Sequence, residues 1–358
     1  MSLNDILAAL GGCLDATTQA ILAMSFGFAM IPCAFAYMVG IGGCLAFNSA
    51  VPISFQAETI TLGGSMGRNI RERASIIFFG GVAMLILGGL GLLNAIMEFA
   101  GEEIVSAMMV GVGIFLGKVA FDLVKEDKRL GTVSMIVAIT VYAITKDLVW
   151  TIVCGVIATS IAAKIMKIDI SVGDEETQKE SRKLKFMKPT FNFNVVRGAL
   201  SVICLTIVGN IAYGGITADI AGTVANADHI SIYSGVADMV SSLFGGAPVS
   251  VIISATAAAD HPVLSGILLM AFMAIIILSG LITKLAKVVP VQAISGTLFV
   301  LGILVTIPDN AGLAFGSADP VIMFAACAAM GVTAVVDPFF GLAAGIAVKI
   351  LMTSMGLF

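Results

Sequence analysis

Charged side chains are scarce in this sequence, because Asp, Glu, Lys and Arg together make up only 12% of its 358 residues. A soluble domain carries about a quarter of its residues as charged side chains, so a large water-exposed surface is excluded. Hydrophobic residues make up 59% of the chain, and a helical membrane crossing needs about 20 of them. We therefore predict an all-α integral membrane protein with about 13–14 transmembrane segments and no nucleic-acid-binding domain.

Motifs for metal, nucleotide and covalent chemistry are also missing. The chain has two His and six Cys, and the cysteines lie in apolar runs without metal-ligand or CxxC spacing. There is no GxxxxGK[ST], no HExxH and no nucleophile elbow. We expect no cofactor and no metal, and the sequence does not predict an enzyme. An integral-membrane enzyme stays an alternative, although no nucleophile–base pair supports it.

One long polar stretch, 167–195, interrupts the apolar runs and divides the chain into halves of similar span count. We predict a first repeat at 1–166, the polar linker at 167–195 and a second repeat at 196–358. Many transporters duplicate one bundle with inverted topology around a site at the membrane midplane. In the first half, the first span is predicted at 17–36.

Two prolines fall in register between the halves and mark interrupted helices. Ala50 to Glu58 reads AVPISFQAE, and Gly246 to Ser254 reads GAPVSVIIS. Pro52 and Pro248 each lack a backbone N–H and disfavour helix at the preceding residue. Broken backbone at membrane depth is tolerated where it is buried in protein or lines a wet cavity. Such breaks leave helix N-termini that favour an anionic or hydrogen-bonding solute.

Four stretches resemble the nucleobase/ascorbate permeases, which include uracil, xanthine and adenine/guanine permeases. Gln19 through Pro32 looks like the first span of that family, and Pro52 through Thr59 resembles its short extended third segment. Ala218 to Thr223 is similar to the acidic motif of the eighth span. Leu243 to Ser250, reading LFGGAPVS, is similar to the tenth-span motif and is the most specific of the four.

The resemblance implies two inverted repeats of seven segments, arranged as a core that holds substrate and a gate that packs against it. It implies a proton-coupled symporter of a purine or pyrimidine nucleobase, a multi-pass protein of the cell membrane and a homodimer. The substrate would lie between the two broken segments, beside the eighth span. The candidate substrate-binding residues are Gln56, Glu58, Thr59, Asp219, Thr223, Ala247, Val249, Ser250 and Ser254.

Two carboxylates are the candidates for proton coupling. On the resemblance, Asp219 takes the place of the acidic residue that binds a nucleobase edge. The family usually carries Glu or Gln six residues after the tenth-span proline, where this chain has Ser254, while Glu58 occupies the corresponding place in the first half. A carboxylate at mid-bilayer costs about 2.5 kcal/mol or more, so Glu58 and Asp219 each need a functional reason or a structural partner.

Two other functions remain open from the sequence. An anion permease of the same fold, similar to the sulfate permeases, would also use two broken helices. A non-transporting membrane subunit would fit the compact size of the chain and its altered tenth span.

The basic residues predict the orientation of the chain in the membrane. Sixteen of the nineteen Lys and Arg residues fall on one predicted face: three at 68–73, three at 125–129, eight at 164–197 and two at 284–287. The positive-inside rule makes that face cytoplasmic. The family resemblance instead implies cytoplasmic chain ends, which would lie on the opposite face. Either the fold is inverted in the membrane or the span count through the short second segment is wrong.

Overall fold

The computed structural model describes residues 1–168 and 184–355. Within them the chain forms fourteen membrane segments, seven in each half, as the inverted-repeat fold requires. Most of the predicted linker, 169–183, lies outside the described residues. The repeat boundaries at 166 and 196 stay predictions.

The first half contains eight helices and one short strand. They are α1 (Leu3–Ser25), α2 (Ile31–Phe47), β1 (Ile53–Ser54), α3 (Ala57–Met66), α4 (Ile70–Gly89), α5 (Leu93–Ala100), α6 (Glu102–Glu126), α7 (Lys128–Thr145) and α8 (Leu148–Ile165). The third segment is β1 followed by α3, and α5 is a short connection that bends away from α4 by 98°.

The second half repeats this order. It comprises α9 (Phe193–Ile220), α10 (Ala227–Ser242), β2 (Ser250–Val251), a 3-10 helix (Ala255–Ala258), α11 (Pro262–Leu278), α12 (Leu281–Leu285), α13 (Val291–Phe315), α14 (Pro320–Val335) and α15 (Pro338–Ser354). The tenth segment is β2 followed by the 3-10 helix. The middle of α13, Val300–Thr306, is π-helical.

The length and apolar composition of the helices confirm a multi-pass membrane protein. In the described residues, five helices are long and apolar enough to cross a bilayer, and the bent pair of α4 and α5 adds a sixth. Five shorter apolar helices complete most of the remaining segments. The shorter helices pack among the longer ones, where protein contacts satisfy their polar ends.

The segments pack as two bodies. In the core, α10 packs against α4 and α2, and α11 packs against α1 and α2. In the gate, α6 packs against α13 and α14, and α14 packs against α15. The bodies meet where α9 contacts α15 and, at the equivalent place in the first half, where α1 contacts α8. This arrangement confirms the predicted core and gate.

Glycine pairs bring backbones together inside each body. A Cβ built on Gly81 of α4 would lie 2.6 Å from the carbonyl oxygen of Gly235 in α10, and the reverse contact is also 2.6 Å. In the gate, a Cβ on Gly113 would lie 2.6 Å from the carbonyl oxygen of Gly302. Helices in membranes associate through such small-residue contacts, so each body is tightly packed internally.

The predicted first span, 17–36, is wrong. The first helix begins at Leu3 and ends at Ser25, and Gly27 then adopts a left-handed φ of 81° that no continuing helix can contain. Pro32, expected in the first span, lies in the first turn of α2. The polar residues Asp5 and Asp15 interrupt the apolar pattern of α1, which is why composition placed the span too late.

Because the number of membrane segments is even, the start of α1 and the end of α15 lie on the same side of the membrane. Near Leu3, the Asp5 carboxylate accepts a hydrogen bond from the backbone N–H of His261, at the start of α11. The loops rich in Lys and Arg therefore lie on the opposite side, which we call the basic face. The structure supports the span count, so the orientation conflict is not explained by a miscounted second segment.

Candidate functional site

The two broken segments meet at the centre of the core. β1 and β2 pair in antiparallel fashion, with Ile53 opposite Val251 and Ser54 opposite Ser250. Six membrane segments lie between the third and the tenth, so the two run in opposite directions, as inverted repeats demand. The predicted helix breaks lie just before these strands: Pro52 immediately precedes β1, and Pro248 lies two residues before β2. Both prolines are buried.

Tyr37 of α2 holds β1 in place. Its hydroxyl lies 3.0 Å from Ser54 Oγ and accepts a hydrogen bond of 3.2 Å from the backbone N–H of Phe55. Because buried backbone N–H groups need partners, this hydroxyl stabilises the irregular backbone where the strand turns into α3.

Replacing Tyr37 with Phe should destabilise the protein. The change removes the acceptor for the Phe55 N–H, and an unsatisfied buried donor costs about 1–3 kcal/mol. We expect a lower thermal unfolding midpoint for the purified variant in detergent. The matched control is Tyr142→Phe in α7, whose hydroxyl makes no hydrogen bond in the described residues. Equal midpoints for the two variants would show that the Tyr37 hydroxyl does not hold the strand.

The N-terminus of α3 supplies the most polar wall of the site. Its first intrahelical hydrogen bond runs from the Ile60 N–H to the Gln56 carbonyl, so the preceding amides lack helical partners. Gln56, Glu58 and Thr59 are all buried, with 6%, 4% and 1% of their surface exposed. The Thr59 hydroxyl donates a hydrogen bond of 2.6 Å to Gln56 Oε1, which leaves the Gln56 amide group as a donor.

The opposite wall comes from the tenth segment and its supports. Ala247, Val249, Ser250 and Ser254 are all buried. Within the described residues the Ser250 hydroxyl is buried without a hydrogen-bond partner, although buried hydroxyls normally have one.

Two neighbouring helices fix the backbone of this wall. Asp238 of α10 accepts a hydrogen bond of 2.8 Å from the Val249 N–H. Thr217 of α9 donates one of 3.0 Å to the Ile252 carbonyl. Ser254 caps the 3-10 helix by accepting from the Thr256 N–H at 3.2 Å, so its side chain is used structurally.

Three residues that the sequence did not single out as site residues are connected to Glu58: Asp15 and Tyr213 by electrostatic interaction, and Gln19 through its hydrogen bond to Asp15. Asp15 of α1 and Tyr213 of α9 both lie within the range of electrostatic interaction with Glu58. Gln19 donates a hydrogen bond of 2.9 Å to Asp15 Oδ1, while its own Oε1 is buried and has no partner in the described chain. The spacing of four residues between Asp15 and Gln19, and between Tyr213 and Thr217, signals a shared helix face.

Asp219 and Thr223 do not lie at this site, and the prediction that they line it is wrong. Asp219 is exposed near the end of α9 and lines a separate cavity of about 320 Å³ beside Asn94 and Asp228. Thr223 is exposed in the following turn and donates to the Ala218 carbonyl at 3.4 Å. Side chains two residues apart on a helix point about 200° away from each other around its axis. Because Thr217 faces the tenth segment, Asp219 faces away from it.

The fold resembles solved transport domains. Over 96% of this chain and 97% of the other, it is similar to the transmembrane domain of a cyanobacterium bicarbonate transporter, BicA, with a TM-score of 0.65 and 14% identity. The murine Slc26a9 anion transporter in the inward-facing state gives a TM-score of 0.72 and 14% identity, covering 99% of this chain and 69% of that chain. A further structure of SLC26A9 gives 0.71 and 14%, covering 99% and 65%.

These likenesses confirm an inverted-repeat membrane transporter fold. Neither a protein-family model nor a curated protein matches the chain. The resemblance to nucleobase permeases therefore has support at the level of the fold alone.

Proposed function

We propose that this chain is a secondary transporter that carries a small anion by moving the core against the gate. The observation that carries the proposal is the antiparallel pairing of β1 with β2, which sets the N-terminus of α3 deep inside the protein. Free backbone N–H groups and the helix dipole make such a terminus an anion-binding site. The similar folds of two anion transporters support the same substrate class.

Two buried polar atoms without partners, one on α1 and one on the tenth segment, support a bound solute. The Ser250 hydroxyl and Gln19 Oε1 are buried and have no partner among the described residues. A small polar solute between the walls would satisfy them, and together with the amides of α3 it would be held mainly by hydrogen bonds. The side chains that we propose to contact such a solute are Gln19, Gln56, Glu58, Thr59 and Ser250.

Glu58 gives this site a feature that a simple anion site lacks. Its carboxylate occupies the first turn of α3, where the helix dipole stabilises negative charge, and Asp15 adds a second negative charge nearby. An entering anion therefore binds well only when Glu58 is protonated. Anion and proton would then move together, which makes the protein a proton-coupled symporter.

A nucleobase is the second candidate substrate, and one observation favours it. The Gln56 amide group is left as a donor by its bond with Thr59, and Glu58, two residues further along the chain, is an acceptor. A purine or pyrimidine edge carries complementary acceptors and donors. The homodimer and the cell-membrane location stay predictions under either substrate.

Uptake into proteoliposomes tests the proposal. The purified chain is reconstituted, and initial rates are measured for labelled bicarbonate, sulfate, chloride and uracil with and without an acid-outside pH gradient. We expect saturable uptake of at least one anion, stimulated by the gradient, and none above empty liposomes for uracil. Saturable uracil uptake without anion uptake would replace the anion with a nucleobase, and no uptake of any of the four would overturn transport of these classes.

A further inference from the structure

A second cavity of about 320 Å³ lies between the core and the gate, toward the basic face. Its core side is formed by the last turn of α3, including Leu62 and Ser65, and by the start of α9. Its gate side is formed by α6 and by the turn between α14 and α15. Since α3 runs from the candidate site to this face, the cavity lies beside the helix that connects the two.

Three charged side chains line this cavity: Lys118, Arg197 and Asp337. Two are positive and one is negative, so the lining carries an excess positive charge. Lys118 stands in the membrane-spanning helix α6 with its side chain exposed, and it forms no ion pair with any described residue. An ionisable side chain in a membrane span normally pairs with a partner or serves a solute pathway.

Arg197 and Asp337 tie the two bodies together across the cavity wall. Arg197 Nε of α9 donates to Asp337 Oδ2 of the gate at 2.6 Å, and its Nη2 donates to the Val336 carbonyl at 3.3 Å. Asp337 is buried and also caps α15 by accepting from the Phe340 N–H at 3.0 Å. Its position is therefore fixed by the gate, whereas Arg197 belongs to the core.

We propose that Lys118 and Arg197 form a second anion-binding site, which captures the transported anion at the basic face before it reaches α3. Asp337 acts there as a built-in anion that competes with the solute for Arg197. An anion in the cavity neutralises the excess charge and weakens the tie between core and gate. The inference rests on the proposed transport of an anion, but the binding site itself is testable without transport.

Charged reagents that react with a cysteine thiol measure the electrostatic potential inside the cavity. Ser65 lines it and is exposed, so Ser65→Cys places a thiol there with little effect on packing. The solubilised full chain, carrying Cys327→Ser to remove an exposed native thiol, is treated with methanethiosulfonates bearing either a sulfonate or a trimethylammonium group. Mass spectrometry of the peptide containing residue 65 gives the rate of modification by each reagent. Both reagents attack the same thiolate, so the ratio of the two rates does not depend on the fraction of thiol that is ionised.

The sulfonate reagent should react faster than the ammonium reagent at residue 65. Adding Lys118→Gln removes one charge near the thiol and should lower the ratio of the two rates by between about fivefold and tenfold. The matched control is Lys125→Gln on the same helix, because Lys125 pairs with Asp122 at 2.7 Å on the surface outside the cavity. That change should leave the ratio within about twofold.

Occupancy is tested with sulfate and bicarbonate, at ionic strength held constant with sodium gluconate. Either anion should slow the sulfonate reagent saturably in the parent and no longer do so with Lys118→Gln. Equal ratios for the Lys118→Gln and Lys125→Gln proteins, or absence of anion protection in the parent, would overturn the second site. Protection without any uptake into proteoliposomes would retain this site and reject the transport proposal.

Discussion

Replacing Glu58 with Gln should abolish the stimulation of uptake by a pH gradient. Gln keeps the size and hydrogen bonding of the side chain but cannot exchange a proton, and Glu58 is buried in the first turn of α3. Coupling free energies between two binding events are typically about 1–3 kcal/mol, or about five- to 150-fold. The measured quantity is the initial rate of uptake with the gradient divided by the rate without it. We expect this ratio to be of that order in the parent and near one in the variant.

The Glu58→Gln protein should also keep downhill exchange of the anion, since its site no longer requires a proton to be neutral. The control is Glu98→Gln, which removes a carboxylate from the exposed side of α5 and should leave stimulation unchanged. Full stimulation in the Glu58→Gln protein would place the coupling group elsewhere, and Asp15 is then the next carboxylate to replace.

The second large effect concerns stability. Gly235→Leu inserts a side chain where its Cβ lies 2.6 Å from the Gly81 carbonyl oxygen and 2.9 Å from the Leu85 backbone nitrogen. Overpacked cores lose about 1–3 kcal/mol when side chains can shift, and here backbone atoms block the space. We expect a loss of about 3 kcal/mol or more, seen as poor recovery of monodisperse protein and a strongly lowered unfolding midpoint.

The matched change is Gly331→Leu in α14, where a Cβ would meet no atom within 4 Å. That variant should express and unfold as the parent does. If Gly235→Leu behaved like Gly331→Leu, the close approach of α4 and α10 would not be needed for the core.

The meeting of the broken segments could be predicted from the sequence. Pro52 and Pro248 each forbid regular helix in an apolar stretch, and their matching positions in two halves imply one shared centre. A proline in an apolar stretch is a reliable signal because a helix break leaves backbone N–H and C=O groups unpaired. Inside a membrane those groups must find partners within the protein. The structure adds the register, Ser54 opposite Ser250, which no periodicity over two residues can define.

The direction of side chains could not be predicted in the same way. Asp219 and Thr217 are two residues apart, and only the packing of α9 decides which of them faces the tenth segment. Asp15 was missed because the first span was predicted to begin at residue 17, whereas the helix begins at Leu3. Helix ends and rotations depend on contacts with other segments, and one sequence does not contain those contacts explicitly.

The substrate class is a question of charge rather than of fold. The two broken segments are predictable from the sequence pattern, yet their pairing is compatible with either proposed substrate, an anion or a neutral base. What separates these substrates is whether Glu58 carries its proton when the solute arrives. The gradient measurement tests whether Glu58 exchanges a proton, and the comparison of anion uptake with uracil uptake separates the two substrate classes.

The tie between Arg197 and Asp337 has a pharmacological consequence. It joins two bodies that are each stiffened by backbone contacts at glycines, so relative movement concentrates at their seam. In the proposed transport cycle, a small molecule or antibody fragment that binds α9 and α15 together would block this movement without binding at the N-terminus of α3. Such an inhibitor would not compete with the solute at the N-terminus of α3, although it would compete at the proposed second site beside Arg197.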